Sequence, residues 1–338
     1  MREVISIQYL RGLAASAVVF NHLSVGFDGP LKTAAAGVDV FFVISGFIMW
    51  VTTAGQEFRP QNFLMRRIIR IVPLYWIVTL ATSVAVIWKP NFLSTHHFNS
   101  GDLALSMLFL PTNQHGEMQL IILQGWTLIF EMLFYIVFAM GLLMRETLRL
   151  WVISSVLIGL VLLQPVLHDK FMRFLANPIL IEFIAGMILA KLWMGNLRLP
   201  LYLALTLLIA GLALFIVADL ALPQLPRVIR WGVPALLVVG GSVFAERARL
   251  PVSIRALKVL GNASYSVYLC HVLVIACLEG ILLRLGVSRV AYIALLAILT
   301  IPLSALLYFL IEKPMTHMLH SMRRMLDRGR QARLAVQG

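Results

Sequence analysis

Residues 200–217 read Pro-Leu-Tyr-Leu-Ala-Leu-Thr-Leu-Leu-Ile-Ala-Gly-Leu-Ala-Leu-Phe-Ile-Val, a stretch without a charged side chain. An α-helix rises about 1.5 Å per residue, so a helix of this length crosses most of a hydrocarbon core about 30 Å thick. Comparable runs of roughly 20 apolar residues recur from one end of the chain to the other. They predict a protein built of membrane-spanning helices, with no segment left over for a separate soluble domain.

The composition excludes an ordinary soluble protein. Of the 338 residues, 60% are hydrophobic and 13% are charged, whereas about a quarter of the residues of a typical soluble domain are charged. The net charge of +13 would suggest nucleic acid as a partner in a soluble protein. Here the charges lie in short clusters between apolar runs, and no basic face carries interleaved aromatic residues, so we expect no nucleic-acid partner.

The apolar runs predict an all-α, polytopic integral membrane protein with about ten transmembrane helices. The predicted helices cover residues 7–26, 34–52, 71–88, 125–144, 150–167, 179–195, 200–217, 231–245, 264–284 and 290–311. Residues 103–123 are less apolar and are interrupted by Pro111. We expect this stretch to be re-entrant or interfacial rather than a span.

The distribution of basic residues predicts the orientation. With the N-terminus inside, the inner connecting segments hold more than twice as many Lys and Arg residues as the outer segments, which places both termini in the cytoplasm. We divide the chain into a transmembrane domain, residues 1–314, and a basic cytoplasmic tail, residues 315–338. The tail is expected to lie along the anionic inner leaflet, with membrane lipids as partners.

The first helix carries two ionisable side chains, which are costly in hydrocarbon and therefore candidates for function. Arg11 and His22 are eleven residues apart, so they project from one helical face about 16 Å apart along the axis. A cation near the inner end could hold an anionic group, and an imidazole near the outer end could take a proton at neutral pH. In the alternative interpretation, Arg11 snorkels to the inner headgroups and His22 caps the helix.

Further candidates lie in four other segments. Asp39 could orient a histidine or pair with Arg11, or could be a charge favoured by a helix N-terminus. Ser45 precedes Gly46, a pair that is more typical of close helix packing than of a nucleophile. Arg67 and Arg70 share a helical face and could grip a phosphate, or could be ordinary positive-inside charge.

Two later helices carry buried polar groups. Glu131 lies inside a predicted span, with Tyr135 one turn further on, and needs a partner there. Ser264, Tyr268 and His271 share one face of the ninth predicted helix, where they could bind substrate or hold helices together through hydrogen bonds. No metal-ligand spacing and no glycine-rich phosphate loop occur in the sequence, so we expect no metal and no tightly bound cofactor.

Taken together, these segments resemble the acyltransferase 3 family of bacterial membrane proteins, which includes exopolysaccharide and O-antigen O-acetyltransferases. The likeness covers nearly the whole chain, and its six elements occur in order: Leu10-Arg11-Gly12-Leu13-Ala14 with His22, Gly37-Val-Asp-Val-Phe-Phe-Val-Ile-Ser-Gly-Phe47, Arg67-Ile-Ile-Arg-Ile-Val-Pro-Leu-Tyr75, Trp126-Thr-Leu-Ile-Phe-Glu131, Ser264-Tyr-Ser-Val-Tyr-Leu-Cys-His271 and Ile311-Glu-Lys-Pro314.

The resemblance implies a multi-pass enzyme of the bacterial inner membrane that moves an acyl group, usually acetyl, from cytoplasmic acyl-CoA to a carbohydrate hydroxyl, often on a lipid-linked glycan. By position, His22 would be the catalytic histidine and Arg11 its cationic partner, with Arg67 and Arg70 near the coenzyme phosphates. The predicted substrate-binding residues are Asp39, Ser45, Arg67, Arg70, Tyr75, Trp126, Glu131, Tyr268 and His271.

The sequence departs from the family in two ways. The family's Trp-Ser pair is Trp126-Thr127 here, and the extra C-terminal hydrolase-like domain of some members is absent, so the transfer is expected to be completed within the helices. His22 would remove the hydroxyl proton during attack on the thioester, with direct transfer and an acyl-histidine both open. The alternative function is a secondary transporter or lipid-linked sugar flippase in which the buried charges form a proton relay.

Overall fold

The protein is almost entirely helical. The computed structural model describes residues 4–25, 31–56, 59–88, 99–114, 116–248 and 253–337. The helices of these residues are α1 Ile5–Val25, α2 Gly37–Thr53, α3 Pro60–Trp88, α4 Ser100–Met107, α5 Trp126–Gly141, α6 Glu146–Leu163, α7 Lys170–Leu175, α8 Leu180–Met194, α9 Leu201–Ala221, α10 Val233–Arg247, α11 Arg255–Asn262, α12 Ser264–Arg284, α13 Arg289–Leu307 and α14 Lys313–Gln337. Two short strands, β1 Thr112–Gln114 and β2 Glu117–Gln119, form an antiparallel hairpin.

The described part of the chain contains nine helical segments that are long and apolar enough to cross a membrane. This confirms the prediction of an all-α polytopic membrane protein. The tenth predicted span, α1, is not among the nine, because Gln8, Arg11, Asn21 and His22 interrupt its apolar sequence. α1 packs against α2, α10, α11 and α12, so neighbouring helices shield these polar groups from lipid.

α3 begins earlier than its apolar pattern predicts. It starts at Pro60 rather than at residue 71 and continues through Pro73 to Trp88. Proline is well suited to the first turn of a helix, where its missing N–H would have no partner. The predicted start at residue 71 is therefore too late: Arg67 and Arg70 are part of α3 itself, one turn apart, and share a helical face as the sequence predicts.

Residues 103–123 do not form a span, as the sequence predicts. They comprise the end of α4, the β1–β2 hairpin and a return segment in which Leu120 and Ile122 are buried. The Ser106 hydroxyl accepts a hydrogen bond from the main-chain N–H of Ile121 at 3.0 Å, and the Ser106 carbonyl accepts one from the Tyr75 hydroxyl at 2.7 Å. Tyr75 also stacks on Phe109, with ring centroids 4.3 Å apart, so this segment is fastened to α3.

Two glycines allow the backbones of α2 and α8 to approach each other closely. A Cβ atom at Gly46 would lie 2.0 Å from the carbonyl oxygen of Phe183, and one at Gly186 would lie 2.1 Å from that of Val43. Only residues without a Cβ permit this approach. The prediction that the Ser45-Gly46 pair marks close helix packing therefore holds for Gly46. Ser45, the preceding residue, lies on a different side of α2.

α13 continues through a π-helical turn, Tyr308–Glu312, directly into α14. The helical run Arg289–Asp327 has 39 residues, and at about 1.5 Å per residue it is far longer than a bilayer core is thick. Its C-terminal part returns to α3: Arg323 donates hydrogen bonds to the Asn62 side chain at 2.6 Å and to the Asn62 carbonyl at 3.4 Å. The helix thus crosses the proposed boundary between residues 314 and 315 without a break.

Candidate functional site

A cavity of about 760 Å³ lies among α1, α2, α3, α5 and α12. Six of the predicted catalytic and substrate-binding residues line it: Arg11, Ser45, Arg67, Arg70, Glu131 and Tyr268. Residues from five separate helices therefore converge on one site, although they are spread over more than 250 positions of the chain.

Glu131 has the hydrogen-bond partners that a carboxylate inside a span requires. The hydroxyl of Ser45 donates to its Oε1 atom at 3.2 Å, and the hydroxyl of Tyr135 donates to the same oxygen. The bond from Ser45 joins α2 to α5 in the cavity wall, and the bond from Tyr135 lies within α5. Ser45 is thus a hydrogen-bond donor in the cavity wall, and it has no histidine beside it that would activate it as a nucleophile.

Arg11, Arg67 and Arg70 also line a second, open cavity of about 1550 Å³ at the inner end of the bundle, between α3 and α14. We call the first the membrane cavity and the second the inner cavity. Arg11 is only 8% exposed and hydrogen-bonds Gln8 at 3.4 Å, so it lies inside the protein rather than at the headgroups. The three guanidinium groups mark the place where the two cavities meet.

His22 and His271 contact each other beside the outer end of the membrane cavity. Nδ1 of His22 lies 3.2 Å from Nε2 of His271, and the ring centroids are 4.8 Å apart. His271 is fully buried, and its ring is near that of Tyr268, a residue of the cavity wall. Neither histidine itself lines the cavity. The ring of His271 lies between that of His22 and that of Tyr268, so Tyr268 is the residue of the cavity wall next to the histidine pair.

The hydrogen bonds fix the tautomers of both neutral rings. Nδ1 of His271 lies 2.7 Å from the carbonyl oxygen of Tyr268, which can only accept, so the proton is on Nδ1 and Nε2 is an acceptor. Nδ1 of His22 faces that acceptor and also the carbonyl oxygen of Val18 at 2.9 Å, so it too carries the proton. The lone pair of His22 is therefore on Nε2, where a base needs it.

Asp39 does not orient a histidine and does not pair with Arg11. It is fully buried and accepts two hydrogen bonds from Arg227, from Nε at 3.1 Å and from Nη2 at 2.8 Å. The same guanidinium lies over the ring of Trp126, 5.4 Å from its centroid. Asp39 and Trp126 therefore belong to one cluster with Arg227, and none of the three lines the membrane cavity.

Tyr75 is likewise absent from the membrane cavity, because its hydroxyl bonds the main chain of the segment after α4. Sequence patterns missed two residues that the structure brings close to the site. Gln124 is 3% exposed and donates to the carbonyl oxygen of Leu269 at 2.6 Å. In the sequence, Arg227 looks like a charge in a loop between two spans. Its partner Asp39 lies 188 residues away, and no local periodicity indicates that the two residues pair.

Comparison with known proteins decides the family. A sequence profile described as an acyltransferase domain matches residues 4–309, nearly the whole chain. The chain belongs to the acyltransferase 3 family. It is therefore an acyltransferase, embedded in the bacterial inner membrane as a multi-pass protein, and the family resemblance of the six sequence elements is confirmed. No solved structure matches the chain.

Three relatives show the breadth of the acyltransferase 3 family. The exopolysaccharide production protein ExoZ of Rhizobium meliloti (strain 1021) is 35% identical over 87% of this chain and 91% of its own length. The membrane-bound transacylase BcsY of Komagataeibacter xylinus is 29% identical over 78% of this chain and 70% of its own. The peptidoglycan O-acetyltransferase OatA of Listeria monocytogenes serovar 1/2a is 27% identical over 59% of this chain and 30% of its own.

Thr127, which stands where the family has serine after tryptophan, still supplies a hydroxyl group. Oγ1 of Thr127 lies 2.8 Å from the hydroxyl of Tyr268, and both groups are within reach of the Gln124 carbonyl oxygen, at 3.2 and 3.1 Å. Thr127 and Tyr268 both line the membrane cavity. In this member of the acyltransferase 3 family, threonine therefore supplies the polar link between α5 and α12.

Proposed function

We propose that this acyltransferase moves an acyl group, acetyl in the first instance, from cytoplasmic acyl-CoA to a hydroxyl of a carbohydrate or lipid-linked glycan, with His22 as the base. The glycan acceptor is favoured by the relatives, whose names refer to exopolysaccharide production and to peptidoglycan O-acetylation. The observation that carries the role of His22 is its hydrogen bond with His271, because it leaves the lone pair on Nε2.

The two cavities, which share Arg11, Arg67 and Arg70 in their walls, suit a donor with a phosphate-bearing end and a long, narrow arm. The phosphates would lie in the inner cavity, and the arm would pass Arg11, Arg67 and Arg70 into the membrane cavity. Arg11 would hold the donor near that junction through a charge-assisted hydrogen bond. The thioester would then lie towards Thr127 and Tyr268, the part of the cavity wall nearest to the histidine pair.

In the transfer step, Nε2 of His22 takes the proton of the acceptor hydroxyl while the oxygen attacks the thioester carbonyl carbon. The new C–O bond forms, the C–S bond breaks, and the departing thiolate takes the proton back, giving the ester and coenzyme A. If the histidine is acylated first, Nε2 attacks the same carbon, the C–S bond breaks, and the departing thiolate takes up the Nδ1 proton and leaves as coenzyme A. The hydroxyl then attacks the acyl carbon, the C–N bond breaks, and the hydroxyl proton returns to the imidazole. Removal of the imidazole stops either route.

The test is release of coenzyme A from labelled acetyl-CoA by the purified protein in liposomes, with the label traced into added glycan acceptors. We expect His22→Ala to lower the rate by about a hundredfold or more, while His168→Ala, which removes an exposed histidine between α6 and α7, keeps it. If the wild-type protein releases no coenzyme A with any of several donors and acceptors, the proposal fails. If His22→Ala is as active as His168→Ala, the role of His22 fails.

A further inference from the structure

The C-terminal helix α14 turns a row of basic side chains, two of them histidines, towards the inner cavity. Lys313, His317, His320 and Arg324 all line that cavity. They follow one another at intervals of four, three and four residues, the spacing that places side chains on a single helical face. The tail of this protein is therefore part of the wall of a site and not only a charged extension.

The opposite face of α14 is apolar and exposed. Met318, Met322, Met325 and Leu326 are each more than half exposed, and their spacing also follows the helical period. An amphipathic helix of this kind lies in the membrane interface with its apolar side in the lipid. Its orientation is fixed by Arg323, which binds Asn62 of α3 and, at 3.7 Å, Asp327 of its own helix.

The inner cavity has a large surplus of positive charge. Besides the two histidines, its described wall includes seven Arg and Lys side chains and two carboxylates, Glu312 and Asp327. The carboxylates are already engaged: Glu312 accepts a hydrogen bond from the Ser266 hydroxyl at 2.5 Å, and Asp327 pairs with Arg323. Seven cations gathered around one cavity repel each other, so the arrangement is favourable when an anion with several charges is bound.

The form of the site points to a phosphate ligand that continues deeper into the protein. Nε of Arg67 is buried and has no hydrogen-bond partner among the described residues, and Arg67 lines both the inner cavity and the membrane cavity. Guanidinium groups bind phosphate through paired N–H donors. A phosphomonoester and a pyrophosphate together carry about four negative charges at neutral pH, which matches the charge surplus.

We propose that the cavity-facing side of α14, with Lys313, His317 and Arg324, completes the site for the nucleotide phosphates of the donor, together with Arg67 and Arg70 of α3. This proposal rests on the proposed function, because it takes acyl-CoA as the donor. Arg323 is a positioning residue that holds α14 against α3. The phosphate of an anionic lipid headgroup could bind the same cations as the phosphates of acyl-CoA. The experiment distinguishes these two ligands.

The test compares two donors in liposomes of phosphatidylcholine alone. The double variant Lys313→Gln/Arg324→Gln loses two cations of the proposed site and keeps Arg323 and all cavity residues of α3. We expect its KM for acetyl-CoA to rise about tenfold or more with little change in kcat, since each charge-assisted hydrogen bond contributes well over 1 kcal/mol. With S-acetyl-pantetheine, which has no phosphate, we expect kcat/KM to equal that of the wild type.

The matched control is Arg145→Gln/Lys191→Gln, which removes one Arg and one Lys that are exposed and lie outside both cavities. An unchanged KM for acetyl-CoA in the α14 variant, or an equal rise in the control, overturns the proposal. So does an equal loss with both donors, which would mean a general structural effect. An effect that appears only after anionic lipid is added assigns the face to headgroups and also overturns it. A wild-type protein without activity would instead contradict the proposed function.

Discussion

His271 is one hydrogen bond away from the proposed base, and replacing it tests whether the tautomer of His22 matters. His271→Phe removes one of the two acceptors that face Nδ1 of His22 and leaves the carbonyl oxygen of Val18, so the proton on Nδ1 and the orientation of the ring are held less firmly. We expect kcat to fall by about a hundredfold, with little change in KM for acetyl-CoA. His271→Gln can present its carbonyl oxygen to His22 and its amide to Tyr268, and should recover a large part of the loss.

Cys270→Ala is the control for that experiment, because it alters the neighbouring buried side chain of α12 without touching the histidine pair. Coenzyme A release, measured for all four proteins under identical conditions, gives the comparison. Equal rates for His271→Phe and His271→Gln would show that His271 acts only through packing, and the tautomer argument would then be wrong.

At the same scale, side chains on one helix were predictable and partners on distant helices were not. The 3.6-residue period places Arg11 and His22 on one face of α1, and Arg11 lies in the cavity wall. Glu131 was expected to need a partner, but its bond with Ser45 joins residues 86 positions apart. The pairing of Asp39 with Arg227 was equally hidden, because only tertiary packing decides which of several buried cations a carboxylate meets.

Among the helices, the contact of α2 with α8 determines how close Ser45 and Phe42 come to the cavity. Gly186→Ala would bring a Cβ within 2.1 Å of the Val43 carbonyl oxygen, so the two backbones must separate. We expect the free energy of unfolding to fall by about 1–3 kcal/mol, seen as a lower midpoint in thermal unfolding of the detergent-solubilised protein.

Gly159→Ala is the matched control, since nothing lies within 4 Å of a Cβ at this position of α6 and alanine is the better helix former by about 1 kcal/mol. Its midpoint should equal or exceed that of the wild type. If Gly186→Ala unfolds at the same temperature as Gly159→Ala, the close contact between α2 and α8 is not what stabilises this pair.

Helix positions followed from apolar runs, but helix ends did not. α9, Leu201–Ala221, was predicted at 200–217 because nearly all of its surface is apolar. α3 extends eleven residues before its predicted start, since its first turns project beyond the apolar region and carry Arg66, Arg67 and Arg70. Hydropathy marks only the part of a helix in contact with hydrocarbon, and the arginines of the proposed donor site lie just outside it.

Across the whole molecule, the placement of the cavities predicts that the enzyme works from one side. The inner cavity includes Gln8 near the start of α1 and Arg324 of α14, so both ends of the described chain reach the same face of the bundle. The surplus of basic residues predicts that this face is cytoplasmic. The proposed donor, acyl-CoA, does not cross a bilayer, because its phosphates are charged, and on this proposal it arrives from that side.

We accordingly expect inside-out membrane vesicles to consume external acetyl-CoA, and right-side-out vesicles from the same cells to consume none until they are permeabilised. His22→Ala vesicles of both orientations provide the background rate. His22 lies about 16 Å from Arg11 along α1, close to the opposite face, so label from donor added at the cytoplasmic face should appear in acceptors that are accessible from the other side. Consumption of acetyl-CoA by sealed right-side-out vesicles would reverse the predicted orientation, and with it the assignment of the inner cavity to a cytoplasmic donor.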